Sequence, residues 1–405
     1  MNKQNLSVRW VYMTIGVIAM LFAGVLYAWS ILKSPLSVEF EWSTSALALN
    51  FTLAMTFFCT GGLLGAYISK RMGHRTALVT AGVLFAAGFV MTACLKGASV
   101  GALYVTYGVM AGLGIGIAYN VVIATVSAWF PDKKGLCSGC LMMGFGASAL
   151  VLGNLADTMF KSELGWRSTY VILGIALFAV LTVAGFLLKH PGAGVVFPEL
   201  KSLKAGKEGE IRHQELSSGQ MLRRISFWMA FLCISFLAAV GSSVISFAKD
   251  LALSVNASEG LAVSLVGVLS VCNGIGRILT GVVFDVIGCR RTMICANVLT
   301  ICAAGVTLFA VSVSSLPFCI AGFCLTGMSY GSCPTITAAF TSSFFGMKHF
   351  SNNMAIMTFT VMVGSFVATA SNKVLEVTGG YSSAFIMLQV LTFVALILNA
   401  FIRKP

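Results

Sequence analysis

Residues Val11 to Leu32 read VYMTIGVIAMLFAGVLYAWSIL, without a single charged side chain. As a helix rising about 1.5 Å per residue, that run is long enough to cross a hydrocarbon core of about 30 Å. It has no polar face, so it cannot lie on the surface of a water-soluble core. Eleven more apolar runs follow: Thr44–Ile68, Thr76–Leu95, Gly101–Trp129, Gly135–Asp157, Ser168–Leu188, Phe227–Ala248, Leu261–Phe284, Thr292–Val311, Pro317–Phe344, Phe350–Ala370 and Ser382–Phe401. The whole chain of 405 residues is 58% hydrophobic and only 10% charged, against about 25% charged in soluble domains. So little charge cannot cover a water-facing surface. The reading is an all-α membrane protein with twelve transmembrane helices and the lipid bilayer as its surroundings.

A formal net charge of +13 would suggest nucleic acid in a soluble protein, but here the charges sit in short loops, so no nucleic-acid partner is expected. Nearly all of the 12 cysteines lie inside apolar runs, where a thiol packs as a small hydrophobe. Cys137 and Cys140 form an isolated C-x-x-C with no second pair and no nearby His, so no metal and no cofactor is expected. The first run is too long for the core of a cleavable signal peptide. Of the 26 Lys and Arg, 19 fall on the side that carries both termini and six on the other, which predicts cytoplasmic termini in a cell inner (plasma) membrane protein.

Residues 190–226 are the only long polar segment and read as a tether, ending in a short helix over Leu216–Arg224 capped by Ser217 or Ser218. The chain repeats across it. Gly73-His74-Arg75 matches Gly288-Cys289-Arg290 at an offset of 215 residues, and Trp129-Phe130-x-x-Lys133 matches Phe344-Phe345-x-x-Lys348 at the same offset. Two unrelated loop motifs sharing one offset argue for a duplication. The expected division is an N-terminal six-helix bundle, 1–189, a cytoplasmic linker, 190–226, and a C-terminal six-helix bundle, 227–405. A pseudo-symmetric pair of this kind places a substrate site between the halves near the middle of the membrane.

Gly281-x-x-x-Asp285-x-x-Gly288-x-Arg290-Arg291 resembles the loop signature of the major facilitator superfamily, with a degenerate first copy in which Lys70 stands where the acid would be. Asp285, Arg290 and Arg291 would then form a conformational latch between helix ends. Four further segments are more specific: Gly24-x-x-Tyr27-x-Trp29, the run Trp129 to Leu136, Ser218-Gly219-x-Met221-Leu222-Arg223 with Phe227-Trp228, and Asn273-x-x-x-Arg277. Together they look like the oxalate/formate antiporter family, related to the monocarboxylate transporters. That resemblance covers essentially the whole chain and implies alternating access by two six-helix bundles.

Arg277 stands out on physical grounds alone. A guanidinium inside a span costs about 2.5–3.5 kcal/mol on insertion scales, and Arg277 lies about 12 Å of helix from Asp285, too deep to snorkel. It is always charged, and position 273, one turn away, is Asn. A substrate carboxylate gripped by its fork is the natural counter-ion; the alternative is an ion pair with another span. No His or carboxylate falls in mid-span, leaving Asp250 and Glu376 near the outer ends as candidate proton acceptors. In the monocarboxylate transporters the position of Asn273 often carries a proton-accepting Asp, so the resemblance puts that mode of coupling in doubt here. The oxalate exchangers of the family carry a second cation where this chain has Thr360, which argues for a singly charged substrate.

Counting depth along the helices puts Tyr119, Phe359 and Tyr330 near the middle of the membrane and Tyr27 nearer the outer side. The resemblance implies Tyr27, Tyr119 and Tyr330 as cavity residues around Arg277, and Asn120 and Asn273 could donate amides, with helix packing the alternative for each and the preferred account for Phe359. The glycines Gly108, Gly112, Gly114 and Gly116 lack the Lys-Ser/Thr of a phosphate loop and read as close helix packing. The chain therefore reads as a carrier, not an enzyme, acting as a monomer on a small monocarboxylate of the lactate, pyruvate or formate class, by anion exchange or proton symport. The open alternatives are an antiporter for oxalate or another organic anion, and a membrane carboxylate sensor that does not transport.

Overall fold

The computed structural model describes residues 7–97, 99–130, 134–191, 215–346 and 349–402. Among them, 11 helices are long and apolar enough to cross a membrane. One, Thr44–Ala93, has 50 residues, about twice what a bilayer needs. Inside it, Gly73 adopts φ 87° and ψ 159°, a conformation no helix contains. It is therefore two spans, 44–72 and 74–93, meeting at a sharp turn, as the two separate apolar runs of the sequence require. The fold has twelve spans.

Span 1 is Val8–Phe40; spans 2 and 3 are the two parts of Thr44–Ala93; span 4 is Val100–Ser127, span 5 Gly139–Lys161 and span 6 Gly165–Leu187. Spans 7 to 12 are Ile225–Ser254, Glu259–Phe284, Cys289–Ser312, Leu316–Phe345, Asn352–Thr378 and Tyr381–Phe401. In lipid every backbone N–H and C=O must find its partner within the chain, which is why long apolar runs become helices rather than strands. Local chemistry marks the ends: the Ser43 hydroxyl accepts from Ala46 N at 3.2 Å at the start of span 2.

The duplication is visible in the backbone. Gly288, 215 residues after Gly73, takes φ 77° and ψ 171° between spans 8 and 9, the same break at the same place in the second half. Within the first half span 2 packs on span 4, span 3 on span 6 and span 1 on span 5; within the second, span 8 packs on span 10, span 7 on span 11 and span 9 on span 12. The halves meet most extensively between span 2 and span 11 and between span 5 and span 8, and span 1 also touches span 7. An exchange of halves turns the first of these contacts into the second. Gly112, Gly114 and Gly116 lie directly on Ala54, Ala81 and Phe58 of the neighbouring helices, so span 4 uses them for close approach.

The face opposite the termini is laced shut. Lys33, two turns before the end of span 1, pairs with Asp250 of span 7 at 2.7 Å. Asp157 of span 5 takes Lys249 of span 7 at 3.3 Å and Lys161 at 2.9 Å, and Lys161 reaches Glu259 of span 8 at 2.8 Å. Glu376 of span 11 accepts from Ser45 N of span 2 at 3.3 Å. Among the described residues, the ion pairs that join the halves all lie at this face. Lys33 and Lys249, expected in exposed loops, are buried instead, only 4% and 8% exposed. Each finds a carboxylate on the other half, which is what lets an ammonium leave water.

The expected helix after the linker is present as Ser218–Leu222, with Ser217 as its cap and Gln220 completing a capping box. It docks on the start of span 11: Ser218 Oγ donates to Asn353 Oδ1 at 2.8 Å, and Asn353 Nδ2 donates to Leu216 O at 3.0 Å. Residues 192–214 of the linker lie outside the described residues.

Candidate functional site

Span 8 shows its apolar side outward, with Ile275, Ile278, Leu279 and Val282 all exposed. Arg277 lies on the opposite side of that helix and is half-buried, so its guanidinium faces the protein rather than lipid. Its Nε donates to Asn273 Oδ1, one turn earlier, at 3.2 Å. Its Nη1 lies 3.5 Å from the Tyr119 hydroxyl of span 4 and in contact with the Met142 sulfur of span 5. The backbone of this segment is held by span 10, where Thr335 Oγ1 donates to Arg277 O at 3.3 Å. Among the described residues Arg277 has no carboxylate partner, because the Asp and Glu side chains in ion pairs are gathered near the span ends.

The three candidate tyrosines lie around this cation. Tyr27, Tyr119 and Tyr330 all lie within electrostatic reach of the guanidinium. Tyr27 of span 1 faces Tyr330 of span 10 across the two halves, ring centroids 6.2 Å apart. Tyr27, Tyr330 and Asn273 are buried, whereas Tyr119, Met142 and Arg277 are each half-buried. The Nδ2 of Asn273 is buried with no acceptor among the described residues. An unsatisfied buried N–H costs about 1–3 kcal/mol, which makes it a donor in want of an oxygen.

Other candidates fall elsewhere. Asn120, adjacent to Tyr119, is turned toward span 2, where a Cβ on Gly62 would come within 3.9 Å of its amide nitrogen. Phe359 is half-buried on span 11 and makes no ring contact among the described residues. Asp250 and Glu376 belong to the lacing of the opposite face. Arg290 donates to Ala400 O at 3.3 Å, tying the span 8–9 turn to the end of span 12, and Arg291 is exposed. The Asp285 side chain lies outside the described residues.

Three residues that sequence reasoning missed complete the surroundings. Phe145 of span 5 stands edge-on to both Tyr27 and Tyr119, at 5.1 and 5.2 Å. Phe58 of span 2 packs on Tyr119 at 5.0 Å. Met142 lies one turn before Phe145 and touches Arg277 itself. In sequence Met142 and Phe145 sit among Gly144 and Gly146, and that spacing puts them on a face built for close packing. What it does not reveal is which partner the face meets. The outcome is a cation flanked by aromatic rings, with the Asn273 amide and the Tyr119 hydroxyl beside it. Rings exclude water, and the lower local dielectric strengthens any contact the guanidinium makes with an anion.

A sequence profile of the Major Facilitator Superfamily matches residues 12–247 and 231–405. The chain belongs to the major facilitator superfamily. As a member of that transporter family it is 27% identical over 409 residues to an oxalate:formate antiporter of Oxalobacter formigenes, a match covering 97% of this chain and 91% of that one. It is 23% identical over 339 residues to a monocarboxylate transporter 12 of Xenopus laevis, covering 80% and 73%. Among solved structures, a variant of the nucleoside transporter NupG superimposes with a TM-score of 0.74 over 99% of this chain and 100% of that one, at 12% identity. At that identity the likeness concerns the fold. For this major facilitator chain it agrees with the twelve-span fold.

Proposed function

We propose that this protein is a secondary carrier for a small monocarboxylate of the lactate, pyruvate or formate class, working by alternating access as an exchanger or a proton symporter. The observation that carries the reading is Arg277: a permanent cation at the junction of the halves, half-buried among tyrosines, with no carboxylate partner among the described residues. The anion would lie on the Arg277 fork and take the free Asn273 Nδ2, with the hydroxyls of Tyr119, Tyr27 and Tyr330 around it. Neutralising the charge lowers the cost of closing the site on both sides, and the halves then rock about it. The similarity to an oxalate:formate antiporter supports an anion as cargo. Thr360, buried in span 11 where a second cation would be needed, favours one negative charge over two.

In this reading both termini face the cytoplasm of a plasma-membrane protein, residues 1–189 and 227–405 are the moving halves, and Asp250 and Glu376 are the candidate proton acceptors of the outer face. Asp285, Arg290 and Arg291 form the inner latch. The carrier works as a monomer. The test is counterflow in proteoliposomes with labelled lactate, pyruvate, formate and oxalate at two external pH values. Truncating one partner of a desolvated charge pair costs about 2–5 kcal/mol, so Arg277→Ala should lose at least about 30-fold in rate at low substrate. Arg277→Lys should rescue little, since a point charge lacks the fork. Uptake by Arg277→Ala at the unmodified rate would refute the assignment.

A further inference from the structure

The least expected contact of Arg277 is with Met142. The Met142 sulfur touches Nη1 and also accepts from the Tyr119 hydroxyl at 3.1 Å. Arg277 Nη1 and Tyr119 Oη are themselves 3.5 Å apart, so two donors from opposite halves converge on one point, and a thioether sits there. A thioether is a weak, neutral acceptor. A carboxylate oxygen on the same two donors makes charge-assisted bonds about twice as strong. The sulfur thus stands where one oxygen of an arriving anion belongs.

Only the side chain can yield. The backbone of span 5 is pinned on both sides of this turn: Gly144 lies on Val17 of span 1, Gly146 on Ser270 of span 8, and Leu141 and Phe145 are buried. Methionine is unbranched, with three rotatable bonds, so it can move without disturbing its helix. Met142, Arg277 and Tyr119 are half-buried, whereas Tyr27 and Tyr330 are buried. The displaced thioether would then occupy the half-buried side of the seat, where the tail of a longer acid would also lie.

Building on Arg277 as the anion seat, we propose that Met142 is the specificity residue of the site: its side chain gives up the seat to the carboxylate and then limits the length of the acid's aliphatic tail. The thioether and the substrate tail compete for one volume. Truncation to Ala removes Cγ, Sδ and Cε, and opens room for about three more carbon atoms.

The experiment compares lactate with 2-hydroxyhexanoate as competitors of labelled lactate counterflow. The unmodified carrier should discriminate against the longer acid. In Met142→Ala the longer acid should gain potency relative to lactate by about tenfold or more, since each buried methylene contributes about 0.8 kcal/mol. Met142→Leu, similar in bulk, should keep the discrimination. A second readout does not depend on transport: with methyl-labelled methionine in detergent, the resonance that Met142→Leu removes should shift when lactate is added. An unchanged length preference in Met142→Ala, or a Met142 resonance indifferent to lactate, overturns the proposal while Arg277 dependence stands. Transport that survives Arg277→Ala overturns instead the reading on which it rests.

Discussion

Replacing Asp250 with Asn strips one charge from the lacing that closes the face opposite the termini. Lys33 Nζ lies 2.7 Å from Asp250 Oδ2, and the Lys33 side chain is only 5% exposed while that of Asp250 is 38% exposed. Removing one partner of a fully buried pair costs about 3–5 kcal/mol because the other charge is stranded. Exposed pairs contribute about 1 kcal/mol or less. With the lysine buried and the carboxylate more than a third exposed, the cost falls between these limits, about 1–3 kcal/mol. It applies only while this face is closed, because opening hydrates Lys33. The closed-to-open ratio should therefore fall by about 5- to 150-fold. The neighbouring Lys249–Asp157 pair remains, so closure is weakened rather than abolished. The assay is double electron–electron resonance between labels at the exposed positions Val38 and Asn256 in a background lacking reactive native thiols. Asp250→Asn should populate longer distances, and the charge swap Lys33→Asp with Asp250→Lys should restore the original distribution. If the distances do not change in Asp250→Asn, or if a folded swap fails to restore them, the pair does not hold the gate.

Two further outcomes follow from local chemistry. Thr360→Arg puts a second cation into span 11, where Thr360 is 1% exposed. It should shift competition for counterflow from lactate toward oxalate, and an unaltered preference would remove Thr360 from the argument about substrate charge. Gly73 and Gly288 hold φ 87° and 77° with nothing within 4 Å of a would-be Cβ, in a region only glycine occupies without strain. Ala at either position should cost about 1–3 kcal/mol, read as a lower unfolding temperature with lactate affinity unchanged. Equal temperatures would mean that the turns relax freely.

Much of the candidate site was legible because in a membrane charge is expensive and therefore rare. Arg277 could be selected from one apolar run, and the rise of a helix placed Tyr119 and Tyr330 at its depth. Depth is a coordinate along one helix, and the sequence carries it. Direction around the neighbouring helices is not carried, because packing sets it. Asn120 follows Tyr119 in the chain yet turns to Gly62 of span 2, and Phe359, counted to a similar depth, makes no ring contact among the described residues. Lys33 and Lys249 show the same limit: their positions read as loop, but carboxylates on the other half draw them inside.

By itself the sequence determined the number of spans, the duplication at 215 residues and the stranded guanidinium, since all three follow from hydropathy and spacing along one chain. Only the tertiary structure decided that Met142 and Phe145 wall the cation and that one face is closed by ion pairs between the halves. Both are contacts between helices far apart in the chain, and they arise from the rotation and tilt that packing imposes, which no single helix specifies.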